Sequence, residues 1–588
     1  MSDGTYWTRG GRNMTRRGML RSSAAVGLGI AGAALIGCTG SGGGGAGSGA
    51  APGASSGGRP TKAADVPWVM DLRTGKKEPK YGGTLNTTFS YGLPSVDPIK
   101  NATADTLFFH GLHSSKLVEH SGVPGVTAFE EPVVPDAAQK WEQPDPLTFV
   151  FTLNPKAVWQ DRAPANGRAI TADDVKFTFE RYMAGGATKS RFEAVERVES
   201  VDKGTVRFKL KRRTPEMMNT FAFEHHAILN PEYVASKGGD IGDGGTSYVG
   251  SGPFIQSEYQ QNVRSVWVKN PNYWGTDAAG KRLPYLEKLS YVTIADQAAQ
   301  RAAFDSGQLD IVAIDVEFFD QYVKNPAVIL AKATNGANML SLTATHKKAP
   351  FKDPRIRRAI SMSIDRKGSN DQFYAGLGSP VVPFPPKAFG KKDLPTWDQL
   401  HVNYKRNVGE AKKLLAAAGH ANGIDVGPLS YPDIGGIAVQ NATLLFAQEL
   451  KEAGITSTPT KIDRNTYLER RTKGMWDGMM NITQPNPGVA DQAWAERIHS
   501  KDATNYWGIE EPEVDRIVET LRNTFEPNDR KPLFEQLLKL EQDNVYRLYT
   551  VQTASLNVIR ATVENPSVSI NSLLEYKEFL RRYTWMNK

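Results

Sequence analysis

A single cysteine, Cys38, in a chain of 588 residues rules out an internal disulfide. Whatever folds must therefore be held without a covalent cross-link. The position of that cysteine is equally informative. It ends the run Leu35-Ile36-Gly37-Cys38, downstream of the pair Arg16-Arg17 and an apolar stretch from Ala24 to Gly37. A basic region, a short apolar core, a small residue and a cysteine form an export signal rather than a folded element. The stretch is too short and too rich in Gly and Ala to span a bilayer. Its end resembles a lipobox, which makes Cys38 the expected lipidation site and new N-terminus. Thr15-Arg16-Arg17-Gly18-Met19-Leu20 resembles a twin-arginine signal, with Met19 in place of the usual Phe, so Sec export stays open.

Residues 1–37 carry five arginines and one aspartate, half of the formal net charge of +8. The remaining basic residues alternate with acids instead of forming stripes, which gives no basis for a nucleic-acid partner. Residues 40–58 contain only Gly, Ser, Ala and Pro. Such a segment has no apolar area to bury and acts as a tether, with a reach of roughly 25–30 Å. Cleavage leaves a mature chain of about 550 residues, too long for one ordinary domain, so two or three lobes are expected.

The body, from near Tyr81, mixes strand and helix. Leu147, Phe149, Phe151 and Leu153 alternate, as do Val206, Phe208 and Leu210, and both sets predict half-buried strands. Thr171-Ala172-Asp173-Asp174 predicts a capping box, followed by a helical face of Val175, Phe179 and Tyr182. Asp353-Pro354 predicts a helix start with Ile356, Ala359, Ile360 and Ile364 on one face. Further helices are predicted through Ala411–Ala418 (stopped by Gly419), Val439–Leu450, Val514–Leu521 and Leu533–Leu538.

Five blocks in order resemble the family 5 extracellular solute-binding proteins, the peptide/nickel class that feeds ABC importers. They are Phe149 to Met183; Ser251-Gly252-Pro253-Phe254 with Asn270-Pro271-Asn272-Tyr273-Trp274 and Pro284-Tyr285-Leu286; Arg301 to Ile311; Phe351 to Arg366; and Asn505-Tyr506 with Pro512-Glu513-Val514-Asp515. The likeness covers about residues 80–588. Most of these residues serve turns, helix starts and core packing, so the motifs identify the family without locating a ligand.

The resemblance implies an α/β, periplasmic-binding-protein-like fold: two hinged α/β lobes plus an inserted third domain. On that pattern residues 1–37 are the signal, 38–79 the lipidated tether, 80–98, 249–337 and 545–588 the first lobe, 99–248 the insert, and 338–544 the second lobe. The crossings between lobes are expected near Asn338–Thr345 and Tyr546–Thr553.

The resemblance also implies where a ligand would sit. Tyr91 falls in the first lobe, Asn101 and Thr103 at the start of the insert, and Trp476, Gln484, Asn486, Asp491, Trp494 and Tyr506 in the second lobe. Relatives that bind peptides place an amine-pairing Asp shortly after the tryptophan. Here Gln484 and Asn486 occupy that segment, and amides suit neutral polar groups such as hydroxyls or a blocked peptide. Asp491 can substitute after a small loop shift, and Asp477 is the other nearby carboxylate. Trp476, Trp494, Tyr506 and Trp507 are stacking candidates, with core packing as the alternative for each.

A metal reading would use His110 and His113, spaced i, i+3, or His225-His226, but it lacks a converging third ligand, and surface histidines are the plainer reading. Neither a metal nor a cofactor is expected. No nucleophile elbow, Ser-x-x-Lys or Walker-type loop appears, so no catalytic residue is assigned. The expected protein is a monomeric, non-enzymatic binding lipoprotein of an ABC importer, anchored outside the cytoplasmic membrane or periplasmic. It captures an oligopeptide or similar polar solute and hands it to a permease pair driven by a separate ATPase. The alternatives are an exported cell-wall hydrolase, or an envelope sensor or adhesin on the same fold.

Overall fold

The computed structural model describes residues 77–587, apart from short segments. Those that matter here are 89–94, 101–103, 122–131, 334–338, 433–435, 476, 485–494, 503–504, 553–554 and 566–581. The signal, Cys38 and the 40–58 tether lie outside the described residues.

Two mixed sheets organise the body. The first runs in the order Val328–Ala333, Ser555–Arg560, Ile311–Ile314, Thr84–Thr88, Lys288–Val292, Arg264–Lys269 and Phe254–Gln260. The second runs Ser379–Pro380, Leu548–Gln552, Met339–Thr343, Met479–Gln484, Ile424–Pro432 and Ile455–Ile462. The chain therefore passes from the first sheet to the second between Ala333 and Met339, and back between Gln552 and Ser555. This corrects the expected crossings. Met339–Thr343 and Leu548–Gln552 are strands of the second sheet, because the extended chain keeps pairing after it has crossed. The first-lobe segment beginning at 545 likewise starts later, since Leu548–Gln552 belongs to the second sheet.

Within 99–248, an antiparallel sheet of Ala138–Asp145, Thr148–Leu153, Thr205–Leu210 and Val195–Asp202 packs on the helix Ala172–Ala184. Phe149, Phe151 and Leu153 are buried, as are Val206, Phe208 and Leu210, whereas Leu147 precedes its strand and is exposed. One apolar cluster runs from these residues to Leu85, Trp267, Leu289 and Ile559 of the first sheet. The insert and the first lobe thus share a core. The second lobe has its own, centred on Ile360, Phe446, Ile517 and Phe534. In the helix Pro512–Arg522, Val514, Ile517, Val518 and Leu521 are fully buried, each contributing about 1.5–3 kcal/mol as an upper estimate.

The motif residues act as staples. Asp174 closes the capping box at Thr171, takes a bidentate ion pair from Arg168 and accepts from Trp159 Nε1 at 3.2 Å. The His113 carbonyl accepts from the Ser251 and Gly252 amides at 3.0 and 2.9 Å. A Cβ on Gly252 would stand 2.6 Å from the His113 carbonyl carbon, so only glycine permits this approach. Asp310 Oδ2 accepts from the Asn86 amide at 2.8 Å and ties two strands. Buried Arg357 donates to the carbonyls of Phe351, Lys352, Asn544 and Val545. It thereby caps the helix Pro527–Asn544, which ends in left-handed Val545 at φ 47°. Arg366 similarly gathers the carbonyls of Ser361, Tyr404 and Tyr549.

Candidate ligand-binding cleft

Strand direction locates the cleft. In the first sheet Thr84–Thr88 is parallel to Lys288–Val292 and Ile311–Ile314. Ile314 pairs with Leu556, and Ala333 with Ser555, so these strands end at the edge where the chain crosses. In the second sheet Met339 pairs with both Gln484 and Gln552, and Gln552 also pairs with Ser379. One row, Ser379–Gln552–Met339–Gln484, therefore borders the crossings. Met479–Gln484 is parallel to Ile424–Pro432, so both strands have their carboxyl ends at this edge. Ligands of α/β sheets sit beyond the carboxyl ends of the strands, at such a switch of topology.

The lobes also touch beside the crossings. Leu377, in the turn after the helix Arg366–Phe373, is buried among Phe304, Leu309, Val312, Leu330 and Leu556 of the first lobe. Near it the Tyr374 hydroxyl and Ser379 Oγ are buried with no hydrogen-bond partner among the described residues, and burial holds the Tyr374 phenol above its ordinary range. Lys332, next to the last residue of its strand, is half-buried with no ion-pair partner among the described residues. Burial lowers its pKa, and such an ammonium suits an acidic ligand group.

Of the expected site residues, Tyr506 is described in full. It is half-buried and packs with Ile462 against Tyr467 and Met480. Gln484 is the last residue of its strand. Tyr91, Asn101, Thr103, Trp476, Asn486, Asp491 and Trp494 lie outside the described residues. Trp507 is a core residue rather than a stacking face: it is 1% exposed, with the Arg547 guanidinium 5.6 Å from its ring. The Asp477 carboxylate is exposed and 3.6 Å from Arg470. Ser379, Tyr374 and Gln552 were not anticipated. The signal for Gln552 was a glutamine closing the strand-forming run Leu548-Tyr549-Thr550-Val551.

Of the histidines weighed as ligands, His110, His113 and His226 are buried rather than on the surface. His110 Nε2 lies 2.8 Å from the Val96 carbonyl and Nδ1 2.9 Å from Ser114 Oγ, and burial lowers its pKa to about 4. His113 Nε2 lies 2.8 Å from Gln160 Oε1. His226 is buried, and His225 lies outside the described residues. Among the described residues no group of three or more His, Cys, Asp or Glu is placed to hold a metal ion. A cavity of about 910 Å³ opens between the 381–404 segment and the helix Pro527–Asn544. It is not the cleft, because Ser379–Pro380 runs away from the crossing edge before reaching it.

Comparison with known proteins agrees with this geometry. The profile described as "Bacterial extracellular solute-binding proteins, family 5 Middle" matches residues 132–505. The dipeptide-binding protein of Escherichia coli (strain K12) is 23% identical over 462 residues, covering 74% of this chain and 83% of that protein. Among solved structures, the ABC transporter-associated periplasmic binding protein DppA from Helicobacter pylori, in complex with peptide STSA, superposes with a TM-score of 0.73 at 19% identity, covering 87% of this chain and 99% of that one. AgaA from A. tumefaciens R10, in complex with agropinic acid, gives 0.71 at 20% identity, covering 86% and 99%. The chain belongs to the bacterial extracellular solute-binding proteins of family 5.

Proposed function

We propose that the two lobes close on an oligopeptide or similar polar solute and present it to the permease pair of an ABC importer, leaving the solute chemically unchanged. The observation that carries this reading is the row Ser379–Gln552–Met339–Gln484 at the crossing edge, which brings polar positions to the place where two hinged sheets face each other. The dipeptide-binding relative and the peptide-bound neighbour support a peptide ligand, and the neighbour's association with an ABC transporter supports import. Hydrolysis finds no comparable support, since the matched family is one of binding proteins.

Gln484 and Asn486 favour ligands without a charged amine, and the exposed, Arg470-paired Asp477 is a poor partner for an enclosed ammonium. A thermal-shift screen of free peptides, N-acetylated peptides and oligosaccharides tests this, because binding to the folded state alone raises the melting temperature. Acetylated peptides are expected to stabilise at least as well as free ones, and Gln484→Ala to weaken binding by about 1–3 kcal/mol. Stabilisation by free-amine peptides only, lost on acetylation, would replace the amide reading with Asp491 as the pairing carboxylate.

Lipidation of Cys38 completes the proposal. The thioether-linked chains would hold the body just off the outer face of the membrane, within reach of the permease. Cys38→Ser is expected to move the protein from the membrane fraction to the soluble one with the body still folded. Retention on membranes after a salt wash would contradict the anchor.

A further inference from the structure

The insert touches the second lobe at a point the chain does not require. Arg212 and Arg213 follow the strand Thr205–Leu210 at the end of the insert's sheet. Phe525 lies in the link between the helices Pro512–Arg522 and Pro527–Asn544 of the second lobe. The Arg213 guanidinium carbon stands 3.8 Å from the centroid of the Phe525 ring. Beside this contact a crevice of about 510 Å³ lies between Arg213 and residues including Thr520, Asn523 and Phe525. A second, of about 380 Å³, places Arg212 across from Glu519, Arg522 and Asn523. These crevices are the seam between two bodies that covalent chain joins only at 334–338 and 553–554.

We infer that Arg213 and Phe525 form a latch that holds the second lobe against the insert, so that closure is set partly by residues that touch no ligand. The chemistry fits a contact made and broken repeatedly. Arg213 is exposed and Phe525 half-buried, so parting them exposes little apolar surface and strands no buried charge. The insert is a rigid support, because its core is continuous with the first lobe. Arg522, which also lines the seam, is already paired with Glu496, and Glu519 lies 3.5 Å from His499 Nε2, so neither competes for Arg213. A contact of this kind at an exposed site shifts a two-state equilibrium by about two- to five-fold. The inference rests on the two-lobe capture reading but not on the identity of the solute.

The test uses the ligand-free full chain, with Cys38→Ser making it cysteine-free. Spin labels are placed at Lys203 on the insert and Gln536 on the second lobe, both exposed. Pulsed dipolar distances are expected to show a short and a long population. Arg213→Ala and Phe525→Ala should each raise the long-to-short ratio by about two- to five-fold, the double variant no further than either single, and unfolding midpoints should stay unchanged. Arg213→Lys, which keeps a cation over the ring, should fall between wild type and Arg213→Ala. An unchanged distribution in either alanine variant, or two shifts that simply multiply in the double variant, would overturn the latch.

Discussion

Replacing Arg547 by methionine is expected to destabilise the second lobe by about 3–5 kcal/mol, because it leaves a fully buried carboxylate without its cation. Both side chains of the Arg547–Glu541 pair are 0% exposed, with Nη2 and Oε2 3.0 Å apart. Glu541 Oε1 accepts from the Arg547 amide and Nε as well, at 3.0 and 3.2 Å. Arg547 Nη2 donates to the Pro383 carbonyl, and the guanidinium lies 5.3–5.6 Å from the rings of Tyr549, Phe384 and Trp507. The pair thus joins the end of the helix Pro527–Asn544, the strand Leu548–Gln552 and the 381–404 segment. Glu541→Gln should cost less than Arg547→Met, since the stranded guanidinium keeps the Pro383 carbonyl, three aromatic rings and an amide oxygen in place of the carboxylate. Arg547→Met with Glu541→Leu should recover much of the loss, because neither charge then remains to be desolvated. Hydrogen exchange of the second-lobe strands measures the effect without assuming that both lobes unfold together. A loss below about 1 kcal/mol for Arg547→Met would show that water or a rearranged side chain replaces the cation.

None of this pair was legible in the sequence, and the reason is geometric. Glu541 and Arg547 are six residues apart and meet only because left-handed Val545 turns the chain back on the helix end. The elements themselves were legible where local chemistry determines them. Asp353-Pro354 starts a helix because the aspartate caps the Arg355 amide at 2.8 Å, and Gly419 stops one because its φ of 91° suits glycine. Spacing could not decide the histidines. An i, i+3 pair looks the same whether it faces a metal, water or a core, and the choice came from Val96, Ser114 and Gln160, contributed by other elements.

The candidate site was legible only as far as its motif neighbourhood. Gln484 gained meaning from pairing with Met339, a strand partner 145 positions away that no local pattern reveals. The crossings were misplaced for a related reason. Extended chain that crosses between lobes and extended chain that pairs in a sheet carry the same short apolar pattern, so Leu548–Gln552 read as a linker.

Arg582→Met is expected to cost about 3–5 kcal/mol at pH 8 and distinctly less at pH 5. Arg582 is buried and ion-paired to Glu119, and its Nη1 donates to the Tyr273 hydroxyl at 2.9 Å. It joins the C-terminal strand Trp585–Met586 to the insert. Asp136 stands beside the pair, accepting from the Lys116 amide at 2.7 Å. Burial and the neighbouring Glu119 push its carboxyl up to about 6, against the pull of Lys116 and Arg582. The sign follows from linkage. A carboxyl whose folded pKa lies above its unfolded value binds more protons in the native state. Its stabilising share is therefore complete below the unfolded value and is lost as pH rises through 6. Removing Arg582 removes one of the groups holding that pKa down, so the native state gains further preference for the proton. At pH 8 the variant must keep Glu119 and Asp136 buried with Lys116 as their remaining named cation, whereas at pH 5 Asp136 is neutral and the repulsion is relieved. Urea unfolding of wild type and variant at the two pH values reads the difference directly. An equal loss at both would mean that Arg582 acts through packing on Tyr273 and Tyr583 rather than by balancing the carboxylates.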